Sequence, residues 1–265
     1  MKKFTLVAAL LLVSVLAFAQ KPVKFGVYVG GAAPFGQMGE GDELKKINVP
    51  PYSDLSNWAL FSDSGKQGYA STGVNAGFDV TVCLPVEGLG VFGGIDFFYN
   101  SNSSYVKDAM ENYAQEVVKT PGISELNYVL PNFMNIPILF GVNYQHDFNH
   151  IVGLYCEAGV GPNFRLISDH ESTLKYTGSN PDMKVTYSYD AATTLGFKVG
   201  AGVMMWNRMS IVADFYSLGS AKINGTEKIE NMPTLTGGYT DVTNNFKGEN
   251  AISASEFVVR VGYHF

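Results

Sequence analysis

The sequence predicts an all-β fold: an eight-stranded antiparallel transmembrane β-barrel with long extracellular loops and short periplasmic turns. Three observations predict it. Apolar and polar residues alternate in segment after segment, the connections between segments alternate long and short, and the chain opens with an export signal. Successive strand side chains point to opposite faces. Each segment therefore has one greasy face and one polar or glycine-rich face.

The opening residues read as a signal peptide over 1–19. Lys2 and Lys3 supply the positive region, Phe4 to Phe18 the apolar run, and Ala17-Phe18-Ala19 the small-x-small cleavage site. The run of about 15 residues is short of the roughly 20 a spanning helix needs. The domain that follows is expected over 20–265. Loss of Lys2 and Lys3 takes the formal charge from −6 to −8, a mild acidic balance that argues against nucleic-acid binding. No long apolar segment follows, so any crossing of a membrane must use strands, which satisfy their backbone in lipid only as a closed barrel.

Eight alternating segments follow in order: 23–33, 72–84, 89–100, 133–145, 151–163, 191–205, 208–218 and 257–265. The second carries Val74, Ala76, Phe78, Val80 and Val82 on one face, and the sixth carries Leu195, Phe197, Val199, Ala201 and Val203. The last carries Phe257, Val259, Val261, Tyr263 and Phe265. A tilted membrane strand requires about 9–11 residues. The connections 34–71, 101–132, 164–190 and 219–251 are long, whereas 85–88, 146–150 and 206–207 are short. Short periplasmic turns and long outer loops are the asymmetry of an outer-membrane barrel. Within the long loops, Val106, Ala109, Met110, Tyr113 and Val117 follow helical spacing, and turns are expected at 48–52 and 237–239. Aromatic residues near strand ends, among them Phe97, Tyr99, Tyr144, Trp206 and Tyr263, suit interfacial girdles.

The opposite faces line the lumen. They hold a polar network of Lys24, Asp79, Asp96, Glu157, Lys198, Asp214 and Arg260, with Arg208 also read as inward and glycines in many remaining places. Charges inside a barrel call for partners, and Arg260 lies on a strand that neighbours the one carrying Asp214. An eight-stranded barrel is just wide enough to be filled by side chains. A plugged lumen is therefore favoured over a narrow polar pore.

Catalytic chemistry is thin. His146 and His150 have an H-x3-H spacing but read as a polar turn rather than a metal site. Asp169-His170-Glu171-Ser172 reads as a hydrophilic loop tip, and Asn224-Gly225-Thr226 as a loop turn. Cys83 and Cys156 read as unpaired apolar-like thiols. No catalytic residue, metal or cofactor is expected.

Several stretches resemble a known family. Asn135-Ile136-Pro137-Ile138-Leu139-Phe140-Gly141-Val142-Asn143-Tyr144 is similar to the E-I-P-L-L-L-K-Y strand of PorT-like outer-membrane β-barrel proteins of Bacteroidetes. Leu154 to Pro162 is similar to the family's Y-x-x-A-G-P strand, and Phe197 to Val203 to its G-x-G strand. Asp214 to Gly219 is similar to its R-Y-x-x-G-L segment, and Phe257 to Phe265 to its closing strand. Asn135 stands where the family often has an acid, and Asp214 where it often has a base. The resemblance implies an eight-stranded barrel in the cell outer membrane of a Gram-negative bacterium. It also implies that Tyr263 and Phe265 form the C-terminal signal read by the barrel-assembly machinery.

The functional expectation is a non-enzymatic outer-membrane protein with a structural or interaction role at the cell surface or in envelope assembly. Its expected partners are outer-membrane lipid, the assembly machinery during biogenesis, and other envelope or surface proteins. The alternative is a small porin-like pore for ions or small solutes; an envelope enzyme ranks below both.

Overall fold

The computed structural model describes residues 23–39, 70–149 and 151–265. The signal segment and the turn expected at 48–52 lie outside the described residues. Among the described residues eleven strands and one α-helix follow in chain order, with a 3-10 turn over Gly36–Met38 after the first strand. They are β1 (Val23–Phe35), β2 (Gly73–Cys83), β3 (Leu89–Asn100), α1 (Ser104–Val118), β4 (Ile123–Val129), β5 (Phe133–Asp147), β6 (Val152–Ile167), β7 (His170–Tyr176), β8 (Met183–Tyr189), β9 (Ala192–Met205), β10 (Met209–Pro233) and β11 (Tyr239–His264).

Eight of the strands form a ring in the order β1-β2-β3-β5-β6-β9-β10-β11, all antiparallel. The ring closes where β11 pairs with β1, from Gly26↔His264 to Phe35↔Ser255. Closure leaves no open sheet edge within the ring, the condition for burying strands in lipid. The alternation read from the sequence is the alternation of the wall. Val29, Val74, Phe140, Leu195, Val199 and Val259 are exposed on the outside, while their sequence neighbours point inward. Tight turns join strands at one end of the ring. Trp206 and Asn207, both at positive φ, make a two-residue turn closed by Arg208 N donating to Met205 O at 3.0 Å.

The other end departs from expectation in three places. The connection 219–251 is not a loop, because β10 and β11 run on as one hairpin far past the ring. At 25 and 26 residues they are more than twice the length of a membrane-spanning strand. Their pairing shifts register between Ser217 and Ser220, where Gly219 takes φ 75°. The connection 164–190 holds β7 and β8, and 101–132 holds α1 and β4. Together these build an outer sheet in the order β11-β10-β8-β7-β4. We call it the cap. Asn224-Gly225-Thr226 therefore lies in a strand rather than a turn.

The cap's inner face is apolar and aromatic: Leu126, Leu174, Val185, Tyr187, Ile229 and Phe246 sit at matching registers. Its outer face carries Lys–Glu pairs, Lys175–Glu125 at 2.8 Å and Lys184–Glu171 at 2.9 Å. The helical spacing read from the sequence is realised in α1. Ser103 caps it by accepting from Val106 N, and Val106, Met110, Tyr113 and Val117 are buried. They pack on Tyr128, Leu130, Leu126 and Ile123 of β4 and its flank, and on Leu174 of β7.

Candidate functional site

The lumen is layered, and strand register sets the layers. Towards the cap lies an apolar plug that includes Ala32, Phe98, Phe133, Leu139, Tyr216, Leu218 and Val258. Two residues further along the same inward faces, towards the tight turns, comes a charged layer. Below that a thin shelf of Tyr155, Met204 and Val212 completes the filling.

The charged layer is one connected network. Lys198 on β9 stands 2.9 Å from Glu157 on β6 and 3.8 Å from Asp96 on β3. Arg260 on β11 donates Nε to Asp214 Oδ2 on β10 at 2.6 Å, and its Nη2 pairs with Glu157. Tyr216 Oη donates to Asp96 at 3.1 Å, and Tyr155 Oη donates to Glu157 at 2.9 Å. The Arg260 guanidinium lies 3.9 Å from the ring centre of Tyr28, and Lys198 Nζ lies 5.0 Å from that of Phe92. All five charged residues are almost fully buried.

The glycines make this packing possible. Asp79 faces Gly26 and Gly94 across its two ladders, Asp96 faces Gly77, and Glu157 and Asp214 both face Gly200. A Cβ on Gly200 would stand 1.8 Å from Asp214 Oδ1, so the carboxylate lies across the space a side chain would fill.

Three residues read as inward stand apart from the network. Asp79 is buried at 3% exposure, and neither of its oxygens has a hydrogen-bond partner. Lys24 lies near the tight-turn end and donates to Gln145 Oε1 at 3.2 Å. Arg208 is exposed, in the turn before β10, so its inward assignment is corrected. Of the four bases read into the lumen, two therefore face four acids.

Sequence reading missed Arg165. It is 1% exposed at the upper rim, where β10 and β11 leave the ring. It donates to Ile252 O at 2.8 Å and to Gly219 O at 2.9 Å, bridging both strands of the hairpin at the Gly219 register shift. Phe164 and Leu166, apolar on either side of Arg165, are the signal that β6 continues.

The catalytic candidates do not converge. His170 is buried in β7, its ring 5.7 Å from Tyr187, while Glu171 next to it is on the opposite face with Lys184. It is therefore not part of a hydrophilic loop tip. His146 is exposed beside Tyr144, and His150 lies outside the described residues. Cys83 and Cys156 are both free. Tyr263 and Phe265 point outward at the tight-turn end, their ring centres 4.9 Å apart.

Beneath the shelf a cavity of about 460 Å³ opens at the tight-turn end. Thr81, Asn143, Tyr155, Gln145, Lys24 and His264 contribute to its wall.

A closed ring with an apolar outer band and a paired charged interior is the architecture of a membrane-spanning barrel. The model of the outer membrane protein β-barrel domain matches residues 5–265. The chain belongs to this family. As an outer-membrane barrel it takes its place in the cell outer membrane. Solved structures to which it is similar include a major outer membrane protein from Thermus thermophilus, at 14% identity over 92% of this chain and 99% of that one, TM-score 0.40. OprG of Pseudomonas aeruginosa shows 12% identity over 92% and 97%, TM-score 0.40. Ail, the attachment invasion locus protein of Yersinia pestis, shows 12% identity over 91% and 98%, TM-score 0.35. Comparison with curated proteins found no match.

Proposed function

We propose that this outer-membrane barrel is a non-enzymatic interaction protein whose filled ring anchors the cap as a binding platform at the cell surface. One observation carries the reading: β10 and β11, two neighbouring strands of the ring, run on without a break as two of the five strands of the cap sheet. The platform is thus continuous with the anchor rather than tethered to it. The charged layer and the apolar plug fill the lumen with buried side chains, which suits an anchor better than a channel. The tight turns face the periplasm and the cap faces outward. The resemblance to PorT-like proteins of Bacteroidetes supports an envelope role. It also supports recognition of Tyr263 and Phe265 by the barrel-assembly machinery.

The alternative, a small pore, is favoured by the cavity at the tight-turn end, which already reaches a third layer of the lumen.

Photo-crosslinking from the outer face of the cap, at Thr173 and Thr186, tests the platform reading in intact cells. A discrete adduct with an envelope or surface protein is expected from these positions. Adducts with lipid alone, or none at all, would contradict it.

A further inference from the structure

We propose that the free edge of β11 in the cap takes an extended segment of a partner protein as an added strand. The proposal rests on the platform reading and names the contact and the kind of partner. It starts from where β1 stops. β1 pairs with β11 only as far as Phe35↔Ser255. There Gly36, at φ 71°, and the 3-10 turn over Gly36–Met38 lead the chain away. Gln37 Oε1 accepts from Ser253 N at 2.8 Å and from Ser253 Oγ at 3.1 Å, so a side-chain amide takes the place of the next strand residue. Beyond Ser253 no strand among the described residues pairs with this edge of β11, while β10 pairs with the other edge as far as Tyr239.

Backbone direction fixes what the edge offers. Asn224 O accepts from Asp190 N at 2.9 Å, on the β8 side of β10. Its β11 partner Lys247 therefore points its own N–H and C=O away from β10. Register is unbroken from Asn224↔Lys247 to Ile229↔Val242, so Asn245 and Thr243 do the same. Donors and acceptors thus recur at every second residue along one edge. An added strand is the partner whose own groups repeat at that spacing.

Native edges are guarded by proline, by brevity or by irregular pairing. The opposite edge of the cap is guarded: β4 has seven residues and a register shift between Ile123 and Glu125. Residues 242–247 of β11 hold no proline and no break. Their side chains set the partner's chemistry. Val242 and Phe246 are half-buried on the inner face, which leaves apolar surface beside the edge. Thr243 and Asn245 are exposed on the outer face, and exposed Asp241 and Lys247 bound the stretch. The segment that fits runs antiparallel to β11. It is acidic beside Lys247, basic beside Asp241, and alternately apolar and polar between them.

The test uses the full-length protein in lipid nanodiscs and a synthetic peptide of glutamate, then valine and threonine in alternation, then lysine. Amide exchange is read residue by residue by nuclear magnetic resonance. In the free barrel the amides of Thr243, Asn245 and Lys247 should exchange fast, and those of Asn244 and Phe246, which face β10, slowly. Peptide at about ten times its dissociation constant should slow the first three about tenfold. Asn245→Pro removes an edge donor that β10 does not use, and should abolish the effect. Should that variant fail to fold, the same peptide N-methylated at its edge-facing amides replaces it, and should leave exchange unchanged. Edge amides already slow in the free barrel would show that this chain covers the edge itself, and would overturn the proposal. So would edge amides that stay fast with peptide, or equal protection by the N-methylated form. Any of these results beside protein adducts from Thr173 and Thr186 would sink the edge contact and leave the platform reading standing.

Discussion

Arg260 and Asp214 meet at 2.6 Å across the β10–β11 seam, inside the ring and away from water. The same guanidinium pairs with Glu157 from β6. One side chain therefore joins three strands, β11, β10 and β6, within the charged layer. A buried ion pair adds little over a well-packed apolar substitute, but removing one partner leaves the others stranded.

Arg260→Met is therefore expected to destabilise the barrel by about 3–5 kcal/mol. Urea unfolding in lipid vesicles measures it. Adding Glu157→Gln and Asp214→Asn should recover much of the loss. A harmless single variant would show that the network does not hold the seam.

Val199 is 48% exposed on the outer wall of β9, amid the apolar band. Val199→Arg should cost about 2–4 kcal/mol in the same assay. Unchanged stability would mean that this face does not meet lipid.

The alternation that places Val199 outside and Lys198 inside is a property of single residues, so it is legible in the sequence. The ring's strands and its tight turns follow from it. What lies beyond the ring is harder to read. Residues 219–251 alternate too, but between Ile223, Ile229, Val242 and Phe246 stand Thr, Asn, Lys and Gly, which resemble a solvated loop. Phe246 meets Tyr187 and Tyr189 only when β8 arrives from another connection, and Ile223 packs against the plug of the ring. Contacts across the lumen were also hidden. Which base serves which acid depends on register and strand stagger, and these left Asp79 alone and took Arg208 out of the lumen.

His170 is buried in the cap with neither ring nitrogen hydrogen-bonded, and burial lowers its imidazole to about 4 from 6.5. The folded cap keeps it neutral down to about pH 4, while the unfolded chain takes up a proton below about 6.5. Cap stability is thus complete above 6.5 and falls as pH drops towards 4, by on the order of 3 kcal/mol at the limit. Hydrogen exchange over β7 and β8, corrected for intrinsic rate, should show weaker protection at pH 5 than at pH 7. His170→Phe should flatten the difference. Equal protection in the wild type at both pH values would contradict the assignment.

Protease applied to intact cells should cut the tip of the β10–β11 hairpin near Leu235, which is fully exposed. It should spare the turns at Glu87 and Asn207. Cleavage at those turns would reverse the orientation of the barrel.

If the proposed anchor carries a plugged lumen, the purified barrel in planar bilayers passes no steady current. Single-channel recording in 1 M potassium chloride should therefore show a silent wild type, and openings only when the plug is thinned, as in Phe98→Ala with Tyr216→Ala. A stable, resolved conductance from the wild-type barrel would establish the pore instead.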